Sequence, residues 1–424
     1  MTFRAFLAIS IALLMMTLAS ERPIAQEPGR GGGRGQQVNL PDGAGKELVQ
    51  MTCTKCHALN MITGYWGGTR DEWQMLFGTM VQLPKDQADS IAGYLATHFP
   101  PKPAPQAVKI SGPASATFKE FAVPTLGSRP HDPLAAKDGS LWWTGQFASR
   151  LGRVDTKTGE MKEFPLKTAN SGPHGLVEDK DGNIFFTAIN QHYIGKLNPK
   201  TGEITEYPVP APGRSPHTPI FDQKGMLWFT MQSGHVGRLN PATGEIKVQA
   251  TPSQGTYPYG IQINSKGEPW YVDFRGPRVA KVDPNTMMIT EYTLPNAEAR
   301  PRRIALTPDD VVWYTDFARG YLGRFDPVTK TTKEWMSPSG TQTQPYGIAS
   351  IGNMIWYSES SVKPNTMVRF DPKTEKFQTW IIPSGGGVVR NMMRTSNGNL
   401  VIAESGVNKV AVVEIKDSPA TRTN

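Results

Sequence analysis

Cysteine is almost missing from these 424 residues: there are two, Cys53 and Cys56, three positions apart. A pair so close cannot tie distant parts of a fold together, so a disulfide framework is excluded. A cysteine-type zinc site is excluded as well, because it needs ligands from a second cluster and the chain has none. Long apolar runs are missing beyond the N-terminus. The single one, "AFLAISIALLMMTLA" (5–19), falls short of the ~20 residues that a membrane span needs. Basic residues outnumber acidic ones, 45 to 37, yet they form no long run, and no nucleic-acid module is present. Nucleic acid is thereby excluded as a partner, while a small anionic substrate or an acidic redox protein would suit the charge. Helix formers do not dominate, and 42 glycines with 36 prolines predict a turn-rich, largely β protein.

What is present begins with the compartment. Arg4, the apolar stretch and the small residues Ala19, Ser20 and Ala25 predict a signal peptide over 1–25 and a periplasmic location, an uncleaved N-terminal anchor being the alternative. "QEPGRGGGRGQQ" (26–37) reads as a flexible linker. Next, "DGAGKELVQMTCTKCHAL" (42–59) predicts a helix running into Cys-x-x-Cys-His, the attachment signature of c-type haem. Two thiols add to the porphyrin, and the adjacent His57 reaches the iron as proximal ligand. A redox dithiol is the other use of such a pair, but it does not require the trailing histidine. One covalent haem c is therefore expected on Cys53, Cys56 and His57.

Downstream, "DEWQMLFGTMVQLPKDQADSIAGYLATHF" (71–99) resembles the C-terminal half of small monohaem cytochrome c domains, with Tyr94–Leu95 as the pair ending the closing helix. That resemblance implies a c-type cytochrome domain over 38–99 with Met80 as the axial ligand; Met61, Met75 and His98 are the other candidates. Each methionine also has packing as an alternative use.

"PPKPAP" (100–105) opens a proline-rich linker, 100–114, stiff enough to mark a boundary and expected to let the haem domain lie over the next domain or swing clear of it. Beyond it the chain repeats. His131, His174 and His217 fall 43 residues apart, and Tyr259, Arg302, Tyr346 and Arg390 take the same place in four further copies. Units of this length, each with a Trp-rich strand, a "GRLNP"-type strand and a Thr-Gly turn, predict seven four-stranded propeller blades over 115–416. The C-terminal strand "NKVAVVEI" (408–415) has no fourth partner after it, and "FKEFAVP" (118–124) has no blade of its own, so the N-terminal strand is expected to close the ring, leaving 417–424 as a tail. The fold class is then multi-domain: a small all-α cytochrome c domain followed by an all-β seven-bladed propeller. Trp142, Trp228, Trp270, Trp313 and Trp356 are expected to pack between blades.

The repeated "P-H-G…DGN-x-WFT…GRLNP-TGEITEYP" resembles the streptogramin (virginiamycin B) lyase family over about 115–415. The resemblance implies the propeller and a carbon–oxygen elimination, carried in that family by a histidine and a glutamate at two registers of one blade, a histidine one blade earlier, and magnesium. The two registers here pair as His131/Gly145, His174/Ala188, His217/Met231, Tyr259/Asp273, Arg302/Asp316, Tyr346/Glu359 and Arg390/Glu404, with His192 and His235 on the same face. No blade combines His with Glu.

The expected funnel thus has a histidine side and an acid, Tyr and Arg side. His131, His174 and His217, flanked by Asp273 and Glu404, are the candidate catalytic or transition-metal site, with hydrogen-bonded structural histidines as the alternative. Arg302 and Arg390, with Arg300 and Arg303 near them and Tyr259 and Tyr346 beside, are the candidate anion site. The leading expectation is a haem electron-transfer protein or oxidoreductase serving a soluble or membrane redox partner. The alternatives are a β-eliminating lyase and a docking platform without catalysis. Quinoprotein chemistry is not expected, since no quinone-binding signature is present.

Overall fold

A computed structural model describes residues 39–55 and 58–417. The predicted signal peptide, the 26–37 linker, Cys56, His57 and residues 418–424 lie outside the described residues. Among those described, no helix is long and apolar enough to cross a membrane.

The N-terminal unit is helical: α1 (Lys46–Cys53), α2 (Asn60–Thr63), α3 (Arg70–Gly78) and α4 (Lys85–His98). Thr69 and Glu72 form a reciprocal capping box that starts α3. The four helices close over Leu40, Val49, Ile62, Trp73, Ile91, Tyr94, Leu95 and Phe99, with Cys53 at the edge of that cluster. Trp73 donates its indole N–H to the Phe99 carbonyl at 3.1 Å, tying α3 to the end of α4.

The remainder is a propeller of seven four-stranded antiparallel sheets. Burial falls from the axis outwards, and the sequence follows it. Second strands such as Leu227–Met231 are buried at every position, because neighbouring blades cover both faces. Outer strands such as Ile246–Ala250 alternate. The five repeat tryptophans are at most 2% exposed and sit between blades, as the spacing predicts. Four of them stack on aromatics of the outer strand of their own blade, for example Trp356 on Trp380 with ring centres 5.2 Å apart. The ring closes as expected: Ala114–Ala122 pairs antiparallel with Lys409–Asp417 and becomes the outer strand of blade 7.

All seven blades share a feature that periodicity did not show. The register between first and second strands slips by one residue directly after the first strand begins, as between Pro130 and Pro133 in blade 1. Each slip is a bulge at the register position itself, so two consecutive side chains crowd the axis where simple alternation allows one.

The linker departs from its expectation. Rather than hanging free, it runs along blade 6. The Lys363 N–H donates to the Pro105 carbonyl, the Val108 N–H to Ser339 Oγ, and the Ile110 N–H to Thr379 Oγ1. The helical unit is thereby seated at the funnel face. Gly127, in the loop leading into blade 1, donates to the Thr79 carbonyl at 2.9 Å. Lys363 of blade 6 reaches the Gly67 carbonyl and lies over the Tyr65 ring.

Candidate functional site

The seven register residues begin their inner strands and form one ring around the axis. His131, His174, His217 and Tyr259 make a continuous arc, with successive ring centres 3.7, 3.7 and 3.8 Å apart. Tyr259 and Tyr346 share a short hydroxyl–hydroxyl hydrogen bond, and Arg302 donates to the Tyr259 hydroxyl at 3.1 Å. The Arg302 guanidinium is boxed by Tyr259, Phe274, Phe317 and Tyr346, all within 5.0 Å of their ring centres. The Arg390 guanidinium carbon lies farther out, 6.0 Å from the Tyr346 ring centre. The structure therefore brings the three histidines, both tyrosines and Arg302 together.

It does not bring Asp273 and Glu404 to the histidines. Asp273 accepts from the Tyr257 and Arg275 backbone N–H groups and from Arg278 at 2.8 Å. Asp316 does the same with Arg300, and with Arg319 through both backbone and side chain. Glu359 accepts from Ser339 and Thr366, and Glu404 from Ser384. At the ends of second strands these carboxylates turn into their own loops, where the first free N–H groups past the ladder attract them. His192 likewise bonds the Ser215 N–H of blade 3, and His235 bonds Ser233. Arg300 turns away too, donating to the Ala297 and Ala299 carbonyls.

The acid that does meet a histidine is one the register count missed. Asp132, the second residue of the blade 1 bulge, lies 2.8 Å from His131 Nδ1 and is 2% exposed. Its other side-chain partners come from blades 5 and 7. Arg303 of blade 5 donates to Asp132 Oδ1 at 2.6 Å and to Thr218 of blade 3 at 3.2 Å, while Asn391 of blade 7 donates to Oδ2 at 2.9 Å. Burial alone would raise the Asp132 pKa; Arg303 first and His131 next outweigh it and hold the carboxyl far below the ordinary range.

The bulge also explains the threonine in "WFT". It frees the Asp132 N–H, which Thr144 accepts at 3.0 Å while donating to the His174 carbonyl of the next blade at 2.8 Å. Thr187, Thr230 and Thr315 repeat this latch onto the next register residue, and Ser358 makes it to the Val389 carbonyl beside Arg390. Val272 and Ala403 stand at that position in blades 4 and 7. The sequence signal was the residue after each register position: Asp132, Gly175, Thr218, Gly260, Arg303, Gly347 and Asn391 alternate polar with glycine.

His131, Asp132 and His174 have ligand atoms within 4.8 Å of one another, the one such group among the described residues. These donors fit a cation poorly. Both Asp132 oxygens already accept hydrogen bonds, and the Arg303 guanidinium would lie beside the ion. Magnesium, which prefers oxygen ligands, meets the same single paired carboxylate.

The fold and ring define a seven-bladed propeller with histidine, tyrosine and arginine side chains gathered around its axis. The chain belongs to the virginiamycin B lyase family, whose sequence profile matches residues 109–351. Among solved structures, a streptogramin B lyase is similar at 25% identity and TM-score 0.65, covering 71% of this chain and 98% of its own. Virginiamycin B lyase from Staphylococcus aureus is similar at 21% identity and TM-score 0.64, covering 70% and 99%. A catalytically inactive histidine-to-alanine variant of the latter, with quinupristin, aligns at TM-score 0.65 and 21% identity over the same shares. A search of curated proteins returned no match.

Proposed function

We propose that the funnel is an acid–base site that eliminates across a carbon–oxygen bond, with His131 as general base. The observation that carries this reading is the 2.8 Å contact between His131 and the buried Asp132. A histidine with a carboxylate partner is what proton abstraction requires, and the register pairs alone had supplied none. In this reading His131 takes the proton from a carbon next to a carbonyl. The C–H pair forms the new carbon–carbon double bond, and the C–O pair leaves with the oxygen as a carboxylate. In this reading Arg302 and the Tyr259–Tyr346 hydrogen-bonded pair would donate to the enolate oxygen, and Arg390 would take the departing carboxylate. The aromatic box around Arg302 gives the apolar part of such a substrate a wall. The class is thus a cyclic or acylated ester with an acidic α-hydrogen and a β-oxygen leaving group.

The test is incubation of the full chain with quinupristin, followed by mass and ultraviolet analysis. Elimination opens the ring at unchanged mass and adds a conjugated double bond, and His131→Asn should slow it by about 10²–10⁴-fold. A product heavier by one water, or turnover indifferent to His131→Asn, refutes the assignment.

A second reading concerns the N-terminal unit, and the Cys-x-x-Cys-His segment carries it. Cys53 lies in the last turn of α1 against the helical core, and Met80 follows α3 by two residues with 38% of its surface exposed. That thiol and thioether fit haem c, which Cys53, Cys56, His57 and Met80 would hold in the periplasm. When bound, the haem supplies one-electron transfer to a redox partner. Thr79 and Gly127 hold the Met80 turn against blade 1, on the side of His131.

A further inference from the structure

Arg303 is drawn into the axis from blade 5, and its bonds to Asp132 and Thr218 join blades that are not neighbours. Its side chain and that of Asp132 are each 3% exposed, so this ion pair is buried at the axis. Glycines make the reach feasible. A Cβ on Gly175 would stand 2.3 Å from Pro219 Cδ, and one on Gly260 would stand 2.9 Å from the Arg303 Cα. At these two positions only glycine lets the neighbouring blade come so close.

We propose that Arg303 is a positioning residue that keeps Asp132 ionised and thereby decides which nitrogen of the His131 ring carries the proton. An ionised carboxylate can only accept, so the His131 nitrogen facing it, Nδ1, must carry hydrogen, and Nε2 is left as the basic atom. A carboxyl this deeply buried without its guanidinium would take up a proton. The acid O–H would then donate to Nδ1, the ring proton would move to Nε2, and the basic nitrogen would point at Asp132. Arg303 therefore acts through Asp132 and touches no reacting atom. The catalytic meaning of the inference rests on the acid–base reading of the funnel; the tautomer itself does not.

The chain has seven histidines, few enough for selective ¹⁵N labelling of their rings, with the His131 signal identified by its loss in His131→Asn. The native chain and Arg303→Lys, which keeps the charge, should show the Nδ1–H form. Arg303→Gln should show Nε2–H and lose elimination activity that Arg303→Lys recovers in part. An Nδ1–H signal in folded Arg303→Gln overturns the proposal, and so does an Nε2–H signal in Arg303→Lys. If Arg303→Gln does not fold, the double variant Arg303→Gln/Asp132→Asn decides. Recovery of folding shows that the cost was an uncompensated carboxylate, and failure to recover overturns the proposal in favour of simple packing. A tautomer switch in a chain that does not open quinupristin would refute the elimination and leave the positioning role intact.

Discussion

Glu404 offers a stability test that needs no substrate. It ends the second strand of blade 7, as Glu359 ends that of blade 6, and both are fully buried. Glu359 accepts from the Ser339 N–H, the Ser339 hydroxyl and Thr366. Glu404 has the Ser384 hydroxyl at 2.7 Å, but its Oε1 has no hydrogen-bond partner. The missing donors went to the closing strand. Glu120 takes the Ser384 N–H, and Lys409, which pairs across from Glu404 where Thr366 faces Glu359, also bonds Glu120. Burial, reinforced by the Glu120 charge, outweighs Ser384 and Lys409 and raises the Glu404 pKa from 4.5 to about 7.

The sign follows from linkage. Below pH 4.5 the carboxyl is neutral in both folded and unfolded chains and costs nothing. Between there and about pH 7 the unfolded chain ionises freely while the folded one does not, so stability falls as pH rises. Above that window the penalty is constant, at about 3 kcal/mol taking ~1.36 kcal/mol per pH unit. Glu404→Gln removes the titration. The stability difference between variant and native chain, from urea midpoints across the pH range, should move in the variant's favour through that window and then level off. A difference that stays flat across the window refutes the reasoning, because it would mean that Glu404 is ionised and solvated in the folded chain.

Two further outcomes are expected. Thr230→Val removes the latch to the Tyr259 carbonyl and strands the buried Thr218 N–H, at a cost of about 1–3 kcal/mol in unfolding free energy; no loss would mean that the inter-blade latch is dispensable, as Val272 makes it in blade 4. For the N-terminal unit, chain matured with haem should keep a peroxidase-active band after denaturing electrophoresis, and Cys53→Ala/Cys56→Ala should not. A colourless native chain ends the cytochrome reading.

The propeller was legible because its causes are local and repeated: a tryptophan-rich strand covered on both faces, a turn, and a fixed interval to the next register residue. Closure was legible because strand counts at the two ends complement each other. Other features depended on contacts between distant residues, and periodicity carries none of those. Spacing placed Asp273 and Glu404 at strand ends but could not say that Arg278 and Ser384 would draw them into their loops. The proline-rich linker promised stiffness, while its docking depends on Ser339 and Thr379, more than two hundred residues downstream. Asp132 was hidden because a strand was assumed to show every second side chain to one side, and the bulge breaks that assumption at the functional register.

The alternation behind the register has a consequence peculiar to an odd ring. Identical blades would aim seven identical side chains at one axis, and neither seven carboxylates nor seven guanidiniums could be buried there. Glycine in every second blade solves the crowding, leaving side chains on blades 1, 3, 5 and 7. Seven is odd, so the alternation must fail once, and it fails between blades 7 and 1, where Asn391 and Asp132 are neighbours. There the two side chains bond each other at 2.9 Å. A neutral amide beside the carboxylate is the choice that electrostatics favours: a second acid would repel Asp132, and a second base would compete with Arg303 for it. The only seam at which two polar residues must meet is thus also where His131 finds its carboxylate. The break in the repeat, more than the repeat itself, is what sets the surroundings of the one histidine of three with a carboxylate partner.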